Sequence, residues 1–204
     1  DTIMTTPLPA DAETLFARLR DSLKDALGAS CNGLAQGGAD APKGEGAAGS
    51  GPEAAQAGSA EAPAFIGIHT GGAWLAARLH AELGLSSPLG FLSSAFYRDD
   101  VQARGLSMRM QPTRIDFDVN GRDIVLVDDI LHTGRTIRAA LNEIFDYGRP
   151  ARVRLAVLID RGERELPVQP DHVGTRLVLQ PGEKLALSQR TNGMFELRVE
   201  SVQA

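Results

Sequence analysis

One stretch, Ile124 to Thr136, constrains the chain more than any other. It reads Ile-Val-Leu-Val-Asp-Asp-Ile-Leu-His-Thr-Gly-Arg-Thr. Ile124 to Val127 is a short aliphatic run, as expected of a central strand in a parallel sheet covered on both faces. The strand is expected to stop at Asp128 and Asp129. Two adjacent carboxylates at a buried strand end repel one another and lose water unless they meet partners. From Thr136 the periodicity is helical, with Ile137, Ala140, Leu141, Ile144 and Phe145 on one face. In between, Leu131, His132, Thr133, Gly134 and Arg135 form a turn. It delivers backbone N–H groups, threonine hydroxyls and a guanidinium to a helix N-terminus.

A helix N-terminus binds phosphate through its unpaired N–H groups and its dipole. Carboxylates beside it accept hydrogen bonds from sugar hydroxyls. The pair therefore suits a ribose 5-phosphate, with Asp128 and Asp129 on the 2- and 3-hydroxyls and the turn on the phosphate. An ordinary strand–turn–helix with an acidic cap would account for Asp129 alone, but not for the whole string. The stretch contains neither the Gly-Lys-Ser/Thr of the P-loop nor G-x-G-x-x-G. The string V-D-D-I-L-x-T-G-R-T resembles the phosphoribosyl diphosphate (PRPP) signature of type I phosphoribosyltransferases.

At 204 residues the chain reads as one domain with additions. A net charge of −5 does not advertise nucleic-acid binding, although a local basic face is compatible with it. The lone Cys31 excludes an internal disulfide and fits a reducing, cytoplasmic setting. No apolar run is long enough for a membrane span, so no membrane partner is expected.

Residues 1–29 are read as an N-terminal helix on the core. Leu15, Leu19, Leu23 and Leu27 form its stripe, Asp11 its N-cap and Gly28 its stop. Residues 30–63 are almost all Gly, Ala, Ser, Pro and Gln with a few charges, and are read as a disordered insertion. Residues 64–180 form the core. Ala64 to His69 is a strand that runs into Thr70, Gly71 and Gly72 and then a helix to about Leu83. The glycine turn is a candidate pyrophosphate loop, with close packing as the alternative. Leu89 to Phe96 is a further strand ending in Tyr97, Arg98, Asp99 and Asp100. The basic segment 101–114, with Arg104, Arg109 and Arg114, reads as a lid. Ile115 to Val119 alternates as a strand, and Asn120-Gly121 turns it into the central strand. Val153 to Ile159 is the next strand, ending in Asp160, Arg161 and Gly162. Residues 165–174 read as irregular and Leu177 to Leu179 as a short strand. Residues 181–204 form a C-terminal β-hairpin turning at Thr191, Asn192 and Gly193, with no chemistry assigned.

Four segments together carry a narrower resemblance. They are Gly67-Ile68-His69-Thr70-Gly71-Gly72-Ala73, Tyr97-Arg98-Asp99-Asp100, the PRPP stretch through Asp146-Tyr147-Gly148-Arg149-Pro150, and Leu158-Ile159-Asp160-Arg161-Gly162-x-Arg164-Glu165-Leu166-Pro167. They resemble the PyrR family of pyrimidine operon regulators, bifunctional uracil phosphoribosyltransferases. The resemblance implies an α/β, type I phosphoribosyltransferase fold: a mostly parallel sheet flanked by helices, with a small hood. It implies conversion of uracil and PRPP to UMP and diphosphate with Mg²⁺, at least a homodimer, and a leader mRNA as a further partner.

Carried residue by residue, Asp128, Asp129 and Arg98 are implied as catalytic. Thr70, Gly71, Gly72, Asp99, Asp100, Asp128, Asp129, Leu131, His132, Thr133, Gly134, Arg135 and Thr136 would hold PRPP. Ile159, Asp160, Arg161, His172 and Val173 would face the base. Asp128 and Asp129 would meet the metal indirectly, through PRPP or water. Many family members have Thr-Arg-Gly where this chain has Thr70-Gly71-Gly72, so one pyrophosphate contact is missing. Two alternatives to the enzyme remain open. One is an RNA-binding attenuator that senses UMP or PRPP with weak or no catalysis, for which Arg149, Arg152 and Arg154 offer a basic cluster. The other is a degenerate paralogue that binds PRPP without turnover.

Overall fold

A computed structural model describes residues 7–32, 62–93 and 111–201. Helix α1 spans Ala12–Asn32, β1 Ala64–Ile68, α2 Gly71–Glu82, β2 Leu89–Leu92, β3 Asp123–Leu131 and α3 Arg135–Tyr147. They are followed by β4 Arg152–Asp160, β5 His172–Arg176, β6 Glu183–Gln189 and β7 Phe195–Ser201. The first five strands form one sheet in the order β2-β1-β3-β4-β5, and every pairing is parallel. From β1 the chain moves outward to β2, then returns to place β3 on the other side of β1. That reversal makes the carboxyl ends of β1 and β3 the switch point of the sheet, where ligands of open α/β sheets bind.

Both faces of the sheet are covered, as the aliphatic run of β3 requires. Leu15, Phe16, Leu19 and Leu23 of α1 and Leu75, Ala76 and Leu79 of α2 pack with Phe65, Val125, Val127, Ala156 and Leu158. Ile137, Ala140 and Ile144 of α3 pack with Ile66, Ile124, Leu126 and Val157 on the opposite face. The N-cap of α1 is Asp11, whose Oδ1 accepts from the Thr14 backbone N–H at 2.8 Å. The β6–β7 hairpin lies on the α1 side. Phe195 meets Phe16 with ring centroids 5.4 Å apart, and Arg78 of α2 stacks its guanidinium 4.4 Å from the Phe16 ring and 5.1 Å from that of Phe195.

Several expectations are corrected. Helix α1 does not stop at Gly28 but runs to Asn32, so positions 30–32 belong to it; a Cβ at Gly28 would meet nothing, and no turn requires the glycine there. Strand β3 does not stop at Asp128 but carries both aspartates and ends at Leu131. Residues 115–119 alternate in burial yet form no strand. Only Arg114 pairs, antiparallel, with Phe91 of the sheet edge. The turn at Asn120 does form, because the Asp118 carboxylate accepts from the Asn120 N–H at 3.0 Å. Phe145 was placed on the buried face of α3 but is 43% exposed, with Arg149 over its ring. The stretch read as irregular at 171–174 contains the start of β5, whereas Leu177 to Leu179 is not a strand. Gly174 explains this: a Cβ there would lie 2.6 Å from the Leu158 carbonyl and 2.9 Å from that of Leu15, so only glycine lets β5 slip between β4 and α1. Tyr97, Arg98, Asp99, Asp100, Arg104, Arg109 and residues 33–61 lie outside the described residues.

Candidate active site

Two strand-to-helix turns meet at the switch point. The first follows β1, with Thr70 as the N-cap of α2 and Gly71 and Gly72 as its first residues. The His69–Thr70 peptide is cis. Helix α2 begins directly on the backbone of β3. A Cβ on Gly72 would stand 2.9 Å from Asp128 Cα and would collide with the Val127 carbonyl oxygen. A Cβ on Gly71 would stand 2.6 Å from Asp129 Cγ and would collide with its Oδ2. Neither position tolerates a side chain as the site stands, and the Asp129 carboxylate lies against the start of α2.

Asp128 is 4% exposed, and its Oδ1 accepts from the Asp129 N–H at 3.0 Å. Asp129 Oδ1 accepts from the Ile130 N–H, also at 3.0 Å. These bonds supply partners that let two neighbouring carboxylates remain within a strand. Adjacent strand residues alternate between the two faces of a sheet, and Asp128 is the more buried of the pair.

The second turn follows β3. Gly134, the N-cap of α3, has φ of 92° and makes no side-chain cap. Thr70 likewise makes no side-chain cap on α2. Neither N-cap residue therefore caps its own helix, and a helix start with N–H groups left over is where an anion is received. Thr133 and Arg135 are linked through the Thr133 Oγ1, which accepts from the Arg135 N–H at 3.4 Å. The Arg135 guanidinium is paired with Glu165 at 2.6 Å. His132 Nε2 is 2.8 Å from Glu163 Oε2. Thr136 follows Arg135 in the first turn of α3, one residue later than the helix begins.

Segment 160–168 folds over this turn. The Thr133 carbonyl accepts from the N–H groups of Glu165 at 3.0 Å and Leu166 at 3.1 Å, and the Leu131 carbonyl from that of Arg161 at 2.9 Å. The base-facing expectations divide here. Arg161 stands at the sheet mouth, with its side chain 15% exposed and its buried Nε without a hydrogen-bond partner. Asp160 is committed to structure, since its Oδ1 accepts from the Gly162 N–H and from Arg164. Ile159 is wholly buried in the core and offers no side chain to a ligand.

His172 and Val173 are not brought to the mouth. They pair with Ala156 and Val157, while the carboxyl end of the sheet is at the row Leu131, Asp160 and Arg176. His172 is buried against α1, with Nδ1 3.0 Å from Ser22 Oγ. Burial holds its imidazole pKa below the ordinary value, Asp171 opposing this and Arg154 adding to it. Arg176 was missed in the sequence because its strand was missed. It is exposed at the end of β5, 3.7 Å from Asp160 Oδ2.

His69 precedes the glycine turn. Its ring lies 5.6 Å from that of Phe91, and burial lowers its pKa, so it is neutral near pH 7. Beside it opens a cleft of about 780 Å³ between α2, β2 and the hairpin turn, lined by Trp74, Phe91 and Met194 among others. None of the residues expected to hold PRPP or base lines it.

Among the described residues no three His, Cys, Asp or Glu side chains group to hold a metal. A Mg²⁺ held by one or two carboxylates plus substrate phosphates asks for no such cage. Asp128 and Asp129 beside an open helix start fit that role.

Residues 54–179 match the phosphoribosyl transferase domain family. The proteins named "Bifunctional protein PyrR" from Nitrosococcus oceani and Pseudomonas aeruginosa are 56% and 54% identical over 128 and 127 residues. Those alignments span 62% of this chain and 72% and 75% of the relatives. The chain belongs to the PyrR family of type I phosphoribosyltransferases. Solved structures agree on the fold. A hypoxanthine-guanine phosphoribosyltransferase from Bacillus anthracis superimposes with a TM-score of 0.55 at 16% identity, covering 89% of this chain and 88% of that one. The enzyme from Leishmania tarentolae in complex with GMP gives 0.52 at 17% identity, covering 86% and 83%. PyrR membership accounts for the phosphoribosyltransferase sheet, which the antiparallel β6–β7 hairpin follows at the C-terminal side. Among the described residues no helix is long and apolar enough to cross a membrane.

Proposed function

We propose that the chain transfers the phosphoribosyl group of PRPP to uracil, giving UMP and diphosphate. The observation that carries the reading is that two helix starts, neither capped by its own N-cap side chain, adjoin the one strand that carries both aspartates. The start of α2 lies on Asp128 and Asp129, and α3 starts at Arg135, four residues after β3 ends at Leu131. A monophosphate at one helix start and a diphosphate at the other, with a hydroxylated sugar between, match the shape of PRPP.

In this reading the α3 turn, Leu131 to Thr136, takes the 5-phosphate. Thr70, Gly71 and Gly72 take the diphosphate, with Arg98, Asp99 and Asp100 beside it. Asp128 and Asp129 accept from the ribose hydroxyls. Bond breaking at C1 leaves positive charge on the sugar and negative charge on the leaving diphosphate. The fixed carboxylates and the helix starts stand where each develops, so the protein contributes positioning and electrostatic stabilisation without a covalent intermediate. Mg²⁺, when bound with the substrate, neutralises diphosphate charge as a Lewis acid. Arg161, with a buried donor still to satisfy, is the residue assigned to a carbonyl of the base.

The second reading is an RNA-binding attenuator, which the "bifunctional" relatives make relevant. Arg152 is exposed at the amino end of β4, on the sheet edge away from the PRPP turns. The test is UMP formation from uracil, PRPP and Mg²⁺, with hypoxanthine and orotate as controls. Uracil-dependent product supports the enzyme. PRPP binding without product from any base, together with salt-dependent RNA binding, would replace it with the regulator.

A further inference from the structure

We propose that Arg164 is the positioning residue that shapes the phosphate turn. This deepens the PRPP reading above and rests on it. Arg164 touches no expected substrate atom. Its guanidinium instead satisfies acceptors on both sides of the site. Nη1 donates to the His132 carbonyl at 2.6 Å and the Gly162 carbonyl at 2.9 Å, with the Leu131 carbonyl at 3.5 Å. Nε donates to the Val168 carbonyl at 3.0 Å, and Nη2 to Asp160 Oδ1. The side chain is only 21% exposed, and its carboxylate partner 10%.

Such a set has a directional consequence. A peptide carbonyl pulled toward Arg164 turns the following N–H the other way. Fixing the carbonyls of Leu131 and His132 therefore aims the N–H groups of His132 and Thr133 away from segment 160–168. The two backbone N–H bonds from Glu165 and Leu166 to the Thr133 carbonyl extend the same ordering to Gly134. The pairs His132–Glu163 and Arg135–Glu165 clip the segment at either side, but both are exposed and interchangeable with water. Arg164 is the least exposed member of the clip. A lysine in its place would keep the charge but not a planar fork reaching five acceptors.

The test uses the full chain and Arg164→Met and Arg164→Lys. Calorimetry with PRPP and Mg²⁺, and separate KM values for PRPP and uracil, are compared with the melting temperature. PRPP binding is expected to weaken about tenfold or more in Arg164→Met and to recover little in Arg164→Lys, with the uracil KM nearly unchanged. Unchanged PRPP binding in either folded variant, or equal rises in both KM values, would overturn the assignment. Amide hydrogen exchange without ligand reads the same contact independently of substrate. Faster exchange confined to residues 132–136 in Arg164→Met supports it, and unaltered exchange there rejects it even if PRPP proves to be the wrong ligand. Should Arg164→Met not fold, Asp160→Asn combined with Arg164→Gln removes both buried charges and carries the same exchange measurement.

Discussion

A β-carbon on Gly71 would stand 2.6 Å from Cγ of Asp129. The missing side chain in one turn and the carboxylate on the neighbouring strand therefore occupy one space. Gly71→Ala is expected to push Asp129 from its position and lower kcat/KM for PRPP by about tenfold or more, with little effect on melting. An arginine at 71 is not a simple restoration of the family pattern, since Asp129 must move first. Full activity in Gly71→Ala would show that Asp129 relocates without consequence.

Asp129→Asn keeps the shape and its bond to the Ile130 N–H through the amide oxygen while removing the charge. Turnover should fall by roughly 10²-fold, with the melting temperature within about 2 °C of the parent. Parental turnover in this variant would detach Asp129 from the ribose.

Gly72 sets a different limit, because its neighbours are backbone atoms. Gly72→Ala would press on Asp128 Cα at 2.9 Å, and strand β3 cannot yield without losing its pairing on both sides. Thermal or urea unfolding should report a loss of about 1–3 kcal/mol. A loss below about 0.5 kcal/mol would mean that α2 rides on the sheet loosely.

Arg78 ties three elements together. It pairs with Glu13 at 2.7 Å and Glu82 at 2.8 Å and covers the rings of Phe16 and Phe195. Glu13 also accepts from the Phe195 N–H at 2.6 Å, so the cation anchors the hairpin through α1. Arg78→Met should cost about 2 kcal/mol of stability. Denaturation followed by near-ultraviolet circular dichroism checks this. No loss would mean the hairpin is held by its apolar contacts alone.

His172 makes stability depend on pH. Its folded pKa lies below the unfolded value of 6.5, chiefly through burial, so the fold favours the neutral ring. Its contribution is complete above that value and is lost as pH falls through the folded pKa. Melting temperature should decline from about pH 7 to pH 5, and His172→Gln should flatten that decline. A decline confined to more acid conditions would point instead to Glu13, whose carboxyl is held below its ordinary range by the Arg78 hydrogen bond.

Much of the site was legible because turn chemistry is local. Asp128, Asp129 and the run to Thr136 state a strand, a turn and a helix within a few residues, and periodicity identifies α1, α2 and α3. Tertiary facts were not local. The family resemblance implied that His172 faces the base, yet pairing with Ala156 buries it beside Ser22. Strand β5 was hidden by Gly174, a poor strand former retained for contact with α1. Arg164 stood within a recognised motif, but nothing in the motif reveals that its donors go to backbone carbonyls.

The position of β3 has a dynamic consequence. It has paired neighbours on both sides and a packed core on both faces. Its amides from Val125 to Val127 belong to the portion of the chain that opens only with global unfolding. The two aspartates are thus borne by a strand locked on every side, so in the proposed reading substrate entry is accommodated by the turns around them while the carboxylates stay still.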